Sequence, residues 1–94
     1  MDFDSIHNQH EQAVYAAVQD RADQYPMLAG RDDALVDVAC VALNRLPPRY
    51  IRHSVDFAFY LTERERNDTE VAIAEAVSFA FEFVQARMAM RARR

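Results

Sequence analysis

The chain has 94 residues, enough for one small domain and no more. Half of it is apolar, at 51%, which excludes a disordered tail; one Gly and three Pro leave too few turns for a sandwich of short strands and favour helices. Fifteen acids against 11 bases give a net charge of −4, which argues against general binding to DNA.

A domain of this size buries only about 60–65% of the surface that its unfolded chain exposes, so association would add useful stability. No apolar run approaches the roughly 20 residues that span a bilayer. The first residues, Met1-Asp2-Phe3-Asp4, are acidic and lack the basic start of a secretion signal. A lone cysteine, Cys40, allows no internal disulfide. These features predict a single cytoplasmic domain over residues 1–94. Every base is an arginine, a planar fork suited to phosphate and guanine edges. The arginines cluster: Arg45, Arg49 and Arg52 in the middle, Arg87, Arg91, Arg93 and Arg94 at the end.

Asp4 or Ser5 is placed to cap a first helix, along which Ile6, Ala13, Val14, Ala17 and Val18 recur at helical spacing. His7, His10 and Glu11 would share a face of it. That spacing permits a metal, but without a fourth ligand the better reading is a solvated polar face. Pro26 ends the helix, and Gly30 is the one residue free to take positive φ without strain. Asp32 and Asp33 open a second helix that runs to Leu46 and stops at Pro47-Pro48. From Leu35 onward it is apolar nearly all round, which predicts burial on more than one side, with Cys40 as a small buried hydrophobe.

Residues 49–61 fit two forms. Alternation of Val55, Phe57, Phe59 and Leu61 suits a short strand, and Ser54 equally suits the cap of a short helix. Thr62 with Glu65 forms a capping box that starts a last helix, with a second start or break available at Asp68-Thr69-Glu70. If unbroken to about Met90, this helix is close to 40 Å long. Phe79, Phe81 and Phe83 step by about 200° and cannot share one face. That excess of apolar surface predicts a symmetric homodimer built on the last helix. The terminal arginines read as a solvated helix end favoured by the dipole.

The least ordinary stretch is Ala42-Leu43-Asn44-Arg45-Leu46-Pro47-Pro48-Arg49-Tyr50-Ile51-Arg52-His53. It leaves a helix, bends at two prolines and presents Asn44, Arg45, Arg49, Tyr50, Arg52 and His53. Guanidinium forks suit phosphates, and the rings of Tyr50 and His53 suit stacking on a base. The same residues suit a plain helix stop, with arginines paired to Asp37, Asp56 or Glu63 and the tyrosine packed in the core. No nucleophile beside a His–acid pair, no HExxH and no glycine-rich phosphate loop is present, so an enzyme is the weaker expectation.

Leu43-Asn44-Arg45-Leu46-Pro47-Pro48-Arg49-Tyr50 resembles the signature of the late competence development protein ComFB family. The likeness is dense over residues 35–62 and matches in layout over about 10–88. It implies a mainly α, homodimeric, non-enzymatic domain of three to four helices with a short extended segment at about 50–61. It also implies a bacterial receptor for a cyclic dinucleotide, cyclic di-GMP or cyclic di-AMP, acting in motility, biofilm formation or competence. Asn44, Arg45, Pro47, Pro48, Arg49 and Tyr50 carry the likeness. Arg52, His53 and Asp56 join the candidate ligand site from proximity and chemistry alone. Some members bind zinc through cysteines before the second helix. Here that stretch, Tyr25 to Asp32, has none, so no metal or other cofactor is expected and packing around Met27 and Leu28 would replace it. The alternative is a dimeric adaptor that binds a downstream protein and no small ligand. Neither DNA nor a membrane is an expected partner.

Overall fold

A computed structural model of the chain describes residues 1–53 and 61–92. Helix α1 spans Glu11–Arg21, α2 spans Asp32–Arg45 and α3 spans Glu63–Ala92. Short 3-10 turns occupy Phe3–Ser5 and Ala22–Gln24. Two two-residue strands, β1 (His7–Asn8) and β2 (Tyr50–Ile51), pair antiparallel, with His7 opposite Ile51 and Asn8 opposite Tyr50. The domain is thus mainly α, as its composition predicts. No helix among the described residues is long and apolar enough to cross a membrane.

Helix α3 starts where its capping box predicts. The Glu65 amide donates to Thr62 Oγ1 at 3.1 Å, which satisfies one of the orphan donors of the first turn. It runs unbroken through Asp68-Thr69-Glu70, and its 30 residues make a rod about 45 Å long. The first turn of α2 borders Met88 and Arg91, whereas Arg45 at its far end lies over Phe79, so α2 and α3 run antiparallel. Both helices bury small residues: Ala34, Ala39 and Ala42 on α2, Ala76 and Ala80 on α3. Short side chains let the two axes approach closely. Helix α1 closes the core with Val14 and Val18.

The link from α1 to α2 is folded tightly. Leu28 is fully buried, and the Leu28 and Ala29 amides both donate to the Tyr25 carbonyl, at 2.9 and 3.0 Å. Gly30 has φ 78°, the left-handed conformation that its sequence position suggests. Tyr25 lies flat on Phe81, with ring centroids 4.3 Å apart. Of the two residues expected to pack in this stretch, Leu28 is buried and Met27 is exposed.

Three expectations are corrected. The first helix starts at Glu11 rather than near Asp4, because residues 7–8 are taken up as a strand. His7 therefore sits on β1, His10 caps α1 and Glu11 opens it, so they share no helical face. Cys40 is exposed, and Val36 is 61% exposed. Among the described residues α2 packs against α1 and α3, which leaves the side that carries Val36 and Cys40 exposed.

The proline turn as a candidate ligand site

α2 ends as its sequence dictates. Leu46 is extended at φ −93° and ψ 137°, as a residue before proline must be, and its side chain is buried. Pro47, Pro48, Arg49 and Tyr50 follow on the surface. Tyr50 is 67% exposed, so its ring is not the core tyrosine of the helix-stop reading.

The turn is held from the far end of the chain. Asn8, buried, accepts two backbone hydrogen bonds through Oδ1: from the His10 amide at 3.2 Å and from the Arg49 amide at 3.3 Å. The Gln9 amide donates to the Arg49 carbonyl at 2.6 Å. With the β1–β2 ladder, these bonds fix both sides of Arg49. A rigid backbone reduces the entropy lost when a ligand is held.

The candidate residues fall into two groups. Asn44 and Arg45 occupy the last turn of α2, both exposed. The Arg45 guanidinium lies 3.7 Å from the centroid of the Phe79 ring on α3, a cation–π contact rather than an ion pair with Asp37 or Glu63. Arg52 and His53 instead turn toward the N-terminal segment, where they and Met1, Asp2, Phe3 and Ile6 border a cavity of about 460 Å³. Their side chains have no hydrogen-bond or ion-pair partner among the described residues. Tyr50 lies between the two groups in sequence. Asp56 and the strand-or-helix question over Val55 to Tyr60 lie outside the described residues.

Two residues with structural weight carry no local sequence signal. Asn8 is one. Arg21 is the other: its Nη1 donates to the Ala74 carbonyl at 3.0 Å and to Ser78 Oγ at 2.7 Å, which ties α1 to the middle of α3. Both bridge segments more than 40 residues apart, beyond any helical or strand period.

No curated protein and no solved structure is matched by the chain. The family model for late competence development protein ComFB matches residues 7–88, which takes in β1, all of α1 and α2, the proline turn and most of α3. The chain belongs to the ComFB family.

Proposed function

We propose that this protein is a non-enzymatic cyclic-dinucleotide receptor of the bacterial cytoplasm. Cyclic di-GMP is the first ligand to test and cyclic di-AMP the second. It works as a pair of chains, and its output lies in motility, biofilm formation or competence. The observation that supports this reading is the exposed Tyr50 ring on a braced proline turn, with Arg45 before it and Arg52 after it in the chain. Two phosphates ask for guanidinium forks, and two bases ask for a ring and polar edges. A ligand with two-fold symmetry suits two copies of such a turn.

Titration calorimetry with cyclic di-GMP, cyclic di-AMP and a linear dinucleotide tests the reading. The cyclic ligands bind and the linear one binds less well. Arg52→Ala weakens binding by about 10- to 100-fold, the worth of one charge-assisted contact. Its fold is untouched, because its side chain has no hydrogen-bond or ion-pair partner among the described residues. No heat at tens of micromolar with any nucleotide overturns the receptor reading. The adaptor alternative is favoured by one observation, the half-exposed Phe79 and Phe83 rings. It predicts flat titrations together with a protein partner lost on substitution of those rings.

A further inference from the structure

The β1–β2 ladder does more than brace the proline turn. In its antiparallel register His7 lies opposite Ile51. Residues 1–6, which lead into β1, and Arg52 and His53, which follow β2, therefore leave the ladder at the same end. There they border the cavity of about 460 Å³. The N-terminal segment is shaped by its own hydrogen bonds. The Asp4 amide donates to Asp2 Oδ1 at 3.2 Å, Ser5 Oγ to the Asp2 carbonyl at 2.9 Å, and the Ile6 amide to the Phe3 carbonyl at 3.1 Å. On this closed turn Phe3 is 67% exposed. A ring held at the mouth of a cavity offers its face to a flat ligand.

Asp2 Oδ2, the Arg52 guanidinium and the His53 ring have no hydrogen-bond or ion-pair partner among the described residues, although all three residues border the one cavity. A ring, a carboxylate and a guanidinium around one hollow match a guanine nucleotide group by group. The base stacks on the ring. Guanine's N1–H and N2 amino group both donate, and an ionised carboxylate only accepts. Adenine would set its unprotonated N1 against the same carboxylate, lone pair against lone pair. The guanidinium takes phosphate. Asp2 and Phe3 lie before residue 7, where the match to the family model begins. They are this chain's own and stand apart from the shared proline-turn motif.

We propose that the cavity between the N-terminal turn and the end of β2 is a guanine pocket: Phe3 stacks on the base, Asp2 accepts from its N1 and N2 hydrogens, and Arg52 holds the adjoining phosphate. The pocket makes the protein selective for cyclic di-GMP over cyclic di-AMP. This rests on the receptor reading and adds to it the residues that choose the base.

Titration calorimetry of the full chain with cyclic di-GMP and cyclic di-AMP tests it, with circular dichroism to show that each variant keeps its helices. The wild type binds cyclic di-GMP more tightly by at least about tenfold. Phe3→Ala weakens cyclic di-GMP by about tenfold or more, the worth of one base stack. Asp2→Asn keeps an oxygen for the Asp4 amide but turns an amino donor toward guanine's donors. It weakens cyclic di-GMP by about tenfold or more and leaves cyclic di-AMP within about threefold. The chain has no tryptophan, so Phe3→Trp adds a single fluorophore whose emission is quenched when the base stacks on it. Equal affinity for the two ligands, a preference for cyclic di-AMP, an Asp2→Asn variant with the wild-type preference, or Phe3→Trp emission unchanged at saturation overturns the guanine pocket and leaves the receptor standing. No heat from the wild type with either ligand overturns both.

Discussion

Asn8→Ala removes the acceptor that joins the N-terminal segment to the proline turn. Two backbone amides lose their partner, those of His10 and Arg49. A neutral hydrogen bond contributes about 1 kcal/mol net, and distances of 3.2 and 3.3 Å lie at the long end of the range. Arg49 is exposed, so water can take up part of what its amide loses. The expected loss is therefore about 1–2 kcal/mol. For a domain of this length that lowers Tm by roughly 5–15 °C. Thermal unfolding followed by circular dichroism measures it. Asn8→Asp keeps the shape and the oxygen acceptor, and both donors are amides that a carboxylate serves well, so it recovers most of the loss. An alanine variant within about 1 °C of the parent, or an aspartate variant as unstable as the alanine one, would refute the claim that Oδ1 holds the turn. If the turn is the ligand site, Asn8→Ala also weakens nucleotide binding although every arginine is intact.

Arg21→Met keeps the apolar stem but loses the bonds to Ala74 and Ser78. Because the donor is charged, the loss is about 1.5–3 kcal/mol, read as a lower urea midpoint with an unchanged slope. Gly30→Ala meets no atom within 4 Å at the new Cβ, so only the backbone at φ +78° resists it. The left-handed penalty of about 1–2 kcal/mol, partly offset by a stiffer unfolded chain, leaves a net loss near 1 kcal/mol. A gain in Tm for Gly30→Ala would show that the penalty is absent.

How legible the fold was depended on the range of each signal. The Thr62 cap, the Pro47-Pro48 stop, the start of α2 at Asp32 and the positive φ of Gly30 are decided by neighbours a few residues away, and all four stand as read. The start of α1 was misplaced because β1 exists only through its pairing with β2, about 40 residues later. Cys40 was misjudged for a different reason. An all-round apolar helix reads as enclosed, but among the described residues α2 packs against α1 and α3 and leaves Cys40 exposed. The separation of the three C-terminal phenylalanines was legible: Phe81 is buried against Tyr25, while Phe79 and Phe83 face outward. For the candidate site, the motif located the turn and its exposed residues. It did not reveal that Arg45 rests on Phe79 or that Asn8 braces Arg49, since both contacts join different elements.

A ladder of two rungs carries a further consequence. Nothing so short holds itself together, and closing it joins distant parts of the chain, which places it late in folding, after the helices have met. The same unit is the first to let go under native conditions, at a free energy well below that of global unfolding. Amide exchange at Gln9 and Tyr50 should accordingly run faster than in the middle of α2, and a molecule seated on the turn should slow it there while leaving the helices as they were.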